Sequence, residues 1–308
     1  MRLKFLAGFL MICTALFLGT PAMAGFSHVV TFGDSISDNG APGYPDFYGN
    51  QIYTNGTPWA DQLAAKHGAE IFNVAIGGAT TGIGNLANLT AYGLLWQVDS
   101  DQTLIRDTIG GMPMNTTLFT VWAGANDYNM ANYGTQYAAF TGGGGNPADF
   151  KYDTSWNSLD AGTQMYVANA AVANIMTAIN TMINDMGALH ILVPNIMDLT
   201  PDGYFTDTYN AQLAAELSAI SGVTIYDVDM HQLFIDLFGE TYDSANEDHV
   251  AAAMAAGLIW IDGYHPGPVT HDAMANAAYA ATVPVPGTML LMIFGLVTIT
   301  GIRRKNPA

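Results

Sequence analysis

Cysteine is nearly missing from this 308-residue chain, which has one, Cys13. It falls inside residues 1–24, which open with Arg2 and Lys4, continue as the apolar run Phe5 to Leu18, and finish with Ala22-Met23-Ala24. A charged start, a short hydrophobic region and a small-residue cleavage site read as a secretory signal peptide. Its removal leaves a mature chain with no thiol, no disulfide and no cysteine metal site. Positive charge is scarce as well. Of eight basic residues, five (Arg2, Lys4, Arg303, Arg304 and Lys305) sit in the two end segments. Lys66, Arg106 and Lys151 are left to face all 26 acidic residues. Such a surface repels nucleic acid and anionic lipid headgroups. It suits a solvated extracellular protein, with salt screening the self-repulsion. No acidic loop has recognisable calcium-ligand spacing.

What the chain has in plenty is apolar residues, 50% of the total, enough for one large globular domain with a substantial core. No internal repeat and no second domain is apparent, so the expected division is residues 1–24, a domain over 25–282, and a tail over 283–308. The domain alternates strands with helices. Short β-branched or apolar runs at His28 to Phe32, Glu70 to Ala75, Thr116 to Ala123, Ile191 to Val193 and Val223 to Val228 read as strands. Thr57-Pro58 opens a helix with a cap and a first-turn proline, and Gly68 stops it. Ala168, Val172, Ile175, Ile179, Met182 and Met186 fall on one helical face that Gly187 ends; these methionines read as core. A further helix is expected over Thr206 to Ile220. This alternation implies a parallel sheet covered on both faces. Residues 130–160, with Gly142-Gly143-Gly144-Gly145 and several aromatics, read as an insertion over the site or a surface loop.

Several of the expected strands run into turns made of chemistry-bearing residues. The first delivers Gly33-Asp34-Ser35-Ile36-Ser37-Asp38-Asn39-Gly40, a serine in a tight turn, which is how an α/β enzyme exposes a nucleophile at its sheet edge. The glycine spacing excludes the usual nucleophile elbow, since Ser37 stands two residues after Ser35. The second runs into Gly77-Gly78-Ala79-Thr80, where glycine lets backbone N–H groups face a ligand. The third runs into Gly124-Ala125-Asn126-Asp127. Near the end of the domain, Asp262 stands three residues before His265.

In this order the four blocks resemble the GDSL esterase/lipase family, also called SGNH hydrolases, over nearly all of residues 27–280. The spacing is similar to its longer members, those grouped with bacterial lecithinases and plant lipases. The resemblance implies a three-layer α/β/α, flavodoxin-like fold with a central, mostly parallel sheet. It also implies Ser35 as nucleophile, His265 as base and Asp262 as the group orienting it. The oxyanion donors would be the Ser35 and Gly78 N–H groups and the Asn126 amide. A serine hydroxyl needs a base to take its proton, and imidazole suits that near neutral pH. Such a site needs no metal and no organic cofactor.

The other six histidines read differently: His28, His67 and His190 as structural, and His231 (beside Asp227 and Asp229) and His249 (beside Asp248) as solvated faces or weak metal candidates. His271 lies in the helix after the last block and has no Asp three positions before it. Two functional classes follow: a secreted carboxylic-ester hydrolase, and a surface or matrix binding protein that keeps the fold without turnover. Ester substrates accepted in the family include acyl lipids, small esters and acetylated sugars.

The tail has its own pattern. Val283-Pro284-Val285-Pro286-Gly287 breaks the structure, Thr288 to Ile302 is apolar, and Arg303-Arg304-Lys305 closes it. The arrangement resembles the PEP-CTERM sorting signal of Gram-negative bacteria that export polysaccharide, which an exosortase recognises and removes. Val285 stands where that motif has glutamate. The apolar run also fits a plain C-terminal membrane anchor, a transmembrane helix with its basic end in the cytoplasm and the domain facing the periplasm.

Overall fold

Five parallel strands among the described residues form the sheet that carries the site: β1 (His28–Gly33), β2 (Glu70–Asn73), β3 (Thr117–Trp122), β4 (His190–Pro194) and β5 (Thr224–Val228), in the order β2-β1-β3-β4-β5. The computed structural model describes residues 25–40, 52–86, 90–133, 160–198, 203–243, 246–260 and 262–283. Within them Phe26–Thr282 is one compact unit. The expected signal peptide, most of the 130–160 insertion and the tail beyond Val283 lie outside the described residues. No helix among the described residues is long and apolar enough to cross a membrane.

The helices are α1 (Trp59–His67), α2 (Leu94–Gln97), α3 (Thr103–Gly110), α4 (Ala125–Tyr133), α5 (Ala161–Asn184), α6 (Tyr204–Ser218), α7 (Met230–Phe238), α8 (Glu247–Ala255) and α9 (Pro268–Thr282). One set, α1, α7 and α9, packs together; the other is built on α5 packed against α2, α4 and α6. The sheet between helices gives the expected three-layer α/β/α architecture. Because β1 and β3 are buried throughout their apolar positions (Val29, Val30, Phe32, Leu118, Phe119 and Val121), they read as continuous hydrophobic runs, as parallel strands covered on both faces do. The predicted stripe on α5 is buried through Ala168, Val172, Ile175, Ile179 and Met182, and Asp160 caps the helix by accepting from the Thr163 N–H at 3.0 Å.

Chain order matters here. The chain passes from β1 to β2 on one side, then to β3 on the other, so the crevice outside the carboxyl ends of β1 and β3 is a topological switch point, where open α/β sheets bind ligands.

Helix α1 starts differently from the sequence expectation. Pro58 itself occupies the cap position, with no side-chain cap, and Thr57 does not supply one. The Trp59 N–H instead donates to Nδ1 of His271, 212 residues away on α9, at 3.1 Å. A long-range acceptor therefore replaces the local cap. Burial lowers the His271 pKa to about 4, with the nearby His265 adding to the effect. The neutral ring is what keeps Nδ1 an acceptor.

Stability follows from that. A histidine whose folded pKa lies below its unfolded value of about 6.5 is protonated first in the unfolded chain, so stability falls as pH drops from about 6.5 towards about 4. His271→Asn keeps an acceptor but removes the titration. Its melting temperature should fall less than that of the unsubstituted protein across this window. Parallel curves would show that His271 is not the titrating group. The buried Asp34 carboxyl, raised to about 7 by its burial, works in the opposite direction by losing stability as pH rises from about 4 to 7, which is why the comparison between the two proteins is the test.

Candidate active site

The serine turn begins where β1 stops, at Gly33. Its φ is +151°, and a Cβ there would lie 2.2 Å from the Trp122 carbonyl oxygen on β3, so no other residue fits between these strands. Gln97 fixes this strand end from both sides: its Oε1 accepts the Gly33 N–H at 2.9 Å and its Nε2 donates to the Gly33 carbonyl at 2.8 Å. The chain then folds back on Asp34. Its carbonyl accepts from the Ser37 and Asp38 N–H groups, both at 3.0 Å, and its Oδ1 accepts from the Ile36 N–H at 3.0 Å. Ser35 is carried at the apex. Ser37 is fully buried, and its Oγ accepts the Trp59 indole N–H at 3.0 Å, so the two serines of the turn have separate tasks.

The histidine loop is pinned by its own backbone. Ile259 and Pro266 form an antiparallel bridge, and the Trp260 N–H donates to the His265 carbonyl at 2.8 Å. Asp262 turns inward on this loop. Its Oδ1 accepts from the Tyr264 and His265 N–H groups, each at 3.0 Å, and its Oδ2 lies 2.5 Å from His265 Nδ1. On the other side of the ring, His265 Nε2 lies 2.8 Å from Ser35 Oγ, across 230 residues. With a carboxylate at Nδ1, the tautomer is Nδ1–H donating to Asp262 and Nε2 accepting from the Ser35 hydroxyl. Burial alone would raise the Asp262 carboxyl; the hydrogen bonds from the His265 side chain and from the two backbone N–H groups outweigh it and hold the group below the usual carboxylate range.

Three donors stand on the turns after β1, β2 and β3, at the same carboxyl edge. The Gly77 N–H is already committed, donating to Asp38 Oδ2 at 2.8 Å. The Gly78 and Ser35 N–H groups have no acceptor among the described residues. Gly78 is held in the left-handed region (φ +79°), and its carbonyl accepts from the Leu86 N–H at 2.9 Å, while Asn85 Nδ2 donates to the Gly77 carbonyl at 2.7 Å. Asn126 Nδ2 donates one hydrogen to the Ala79 carbonyl at 3.0 Å, which orients the amide and leaves it a second hydrogen to donate. Asn126 is thus tied to the residue next to Gly78.

Several residues that organise the site carry no motif that the sequence reading singled out. Asp38 joins the serine turn to the Gly77 turn. Asp127, buried, takes the Thr81 N–H on Oδ2 at 2.8 Å and the Thr81 hydroxyl on Oδ1 at 2.6 Å, joining the Asn126 turn to the Gly78 turn. The histidines left as weak metal candidates have other partners: His231 Nε2 lies 3.0 Å from Asp198, not from Asp227 or Asp229, and His249 Nδ1 accepts the Asp243 N–H at 3.1 Å. No grouping of three metal-ligating side chains occurs among the described residues.

A family model described as GDSL-like lipase/acylhydrolase matches residues 29–278. A phosphatidylcholine-sterol acyltransferase of Aeromonas hydrophila is 31% identical over 125 residues, 37% of this chain and 36% of that protein. The chain thus matches only about a third of the length of this curated relative. Among solved structures, the lipase Lip_vut3 from a goat rumen metagenome has a TM-score of 0.48 at 12% identity, covering 83% of this chain and 97% of that one. Axe2, an acetylxylan esterase from Geobacillus stearothermophilus, has a TM-score of 0.48 at 15% identity, covering 86% and 98%.

Proposed function

The chain belongs to the GDSL-like lipase/acylhydrolase family, and we propose that it is an exported serine esterase that hydrolyses carboxylic esters through an acyl-enzyme on Ser35. The observation that carries this reading is the unbroken relay from Ser35 Oγ to His265 Nε2 at 2.8 Å and from His265 Nδ1 to Asp262 at 2.5 Å. His265 takes the Ser35 proton as the hydroxyl attacks the ester carbonyl, and Asp262 stabilises the imidazolium that forms. The oxyanion is met by the Ser35 and Gly78 N–H groups and by the second hydrogen of the Asn126 amide. His265 then protonates the leaving alcohol, and a water activated by the same ring releases the acid. Each donor and acceptor of this cycle belongs to the chain itself.

The substrate is an acyl lipid, a small ester or an acetylated glycan. The printed name of the Aeromonas relative supports keeping acyl lipids in that range. Release of nitrophenol from nitrophenyl esters tests the activity, and product analysis on an acyl-chain series beside acetylated polysaccharide identifies the class. A folded protein that turns over none of these would be left as a binding module.

Asn126→Ala tests the oxyanion assignment. The loss of one such donor typically lowers kcat by about 10²–10³-fold. That fall, with KM little changed, is the expected result; a defect confined to KM would make Asn126 a contact to the ground-state substrate.

Export is part of the same proposal. The mature protein would start near Gly25 and end near Pro286, after an exosortase-type enzyme removes the tail, and would be released or held at the cell surface. Intact-mass measurement on protein from the native host should find that species. A form still carrying Arg303-Arg304-Lys305, confined to the inner membrane, would instead make Thr288 to Ile302 a plain anchor.

A further inference from the structure

Tyr53 stands between the two halves of the site. Its ring packs against the His265 imidazole with centroids 4.9 Å apart and planes tilted by 41°. Its far end lies over the oxyanion turn. A Cβ built on Gly77 would fall 2.2 Å from the Tyr53 hydroxyl oxygen and 2.4 Å from two ring carbons, and these are the three nearest atoms to it. Gly77 is not in the left-handed region, so its backbone would accept an alanine; what forbids a side chain there is Tyr53. Tyr264 covers another side of the same imidazole, edge-on at 5.2 Å, and its hydroxyl accepts from Asn129 Nδ2 on α4 at 2.7 Å.

We infer that Tyr53 is a positioning residue, which holds the His265 ring in line with Ser35 by wedging it against the Gly77–Gly78 turn. The inference rests on the reading of His265 as the base. Its physical basis is the small tolerance of the relay. Nε2 makes a single bond to Ser35, on a loop otherwise fixed through backbone bonds and Asp262, so the ring needs packing on its faces to stop it tilting. A misplacement of about 1 Å at such a centre costs about 10²-fold in rate. Wedged on Gly77, Tyr53 also sets the base and the Gly78 donor at one fixed spacing.

The test is a set of four variants read by kcat, KM and melting temperature. Tyr53→Phe keeps the ring and should stay within about threefold of the starting protein. Tyr53→Ala should lower kcat by about 10–10²-fold with KM within about threefold, as expected when a base is misplaced and no substrate contact is lost. Gly77→Ala should reproduce the kcat loss by pushing the ring off its seat. Adding Gly77→Ala to Tyr53→Ala should then cost nothing more, because the atoms it collides with are gone. A Gly77→Ala cost that is as large without the Tyr53 ring overturns the inference. So does a Tyr53→Ala defect confined to KM, which would make Tyr53 a wall of the substrate pocket. Gly77→Ala at full kcat overturns it too, and does so even if Tyr53→Ala does not fold. Failure of the underlying reading would look different: His265→Ala would then retain activity, whatever the Tyr53 variants do.

Discussion

Ser35→Ala should abolish ester hydrolysis, with kcat falling by about 10⁶-fold, the scale on which removal of a serine nucleophile acts in triad hydrolases. The melting temperature should hardly move. Ser35 Oγ makes its described hydrogen bond to a half-buried imidazole, and losing it leaves no fully buried polar atom stranded. Ser37→Ala provides the contrast within the same turn. Ser37 Oγ accepts the indole N–H of Trp59, whose side chain is fully buried, so its loss strands a buried donor and costs about 1–3 kcal/mol. Activity in Ser37→Ala should survive in the fraction that is folded. The reverse pattern, full turnover without the Ser35 hydroxyl, would move the nucleophile to another residue.

Asp262→Asn should cost about 10⁴-fold in kcat, the scale of that substitution in serine hydrolases of this type. The reason is visible in the loop. Asp262 Oδ1 is held by two backbone N–H groups, from Tyr264 and His265, so an asparagine has to place its amide oxygen there. Its NH₂ then faces His265 Nδ1, which is forced to accept, and the ring proton moves to Nε2. A ring protonated at Nε2 cannot take the proton of Ser35. The size and shape of the side chain are almost unchanged, so the melting temperature should shift little while kcat collapses. A loss of less than about tenfold would mean that Asp262 holds the loop and does not set the tautomer.

The parts of this molecule legible in its sequence are those whose chemistry is local. Ser35, Asp262 and His265 each sit in a short run with its own turn residues, and the Asp262–His265 pair is only three residues apart. Gly78 was distinguishable from Gly77 by family pattern alone; the physical reason, the Gly77 N–H donated to Asp38, spans 39 residues. Strand order followed from alternation, because parallel strands need crossovers. The helix cap at Trp59 did not. Thr57-Pro58 has the composition of a local start, while the acceptor actually used is His271, brought in by the packing of α9 on α1. Gln97 on Gly33, Asp127 on Thr81 and Tyr53 on His265 are likewise products of tertiary packing, with separations of 64 and 46 residues for the first two. No periodicity or motif in the chain marks such pairs.

The most direct test of the central claim is to label the protein with a serine-directed phosphonate and map the adduct by mass spectrometry. The relay from Asp262 through His265 to Ser35 predicts a single adduct on Ser35, formed at a rate that collapses in His265→Ala and absent in Ser35→Ala. An adduct on Ser37, or ester turnover that continues in protein fully modified at Ser35, would contradict it.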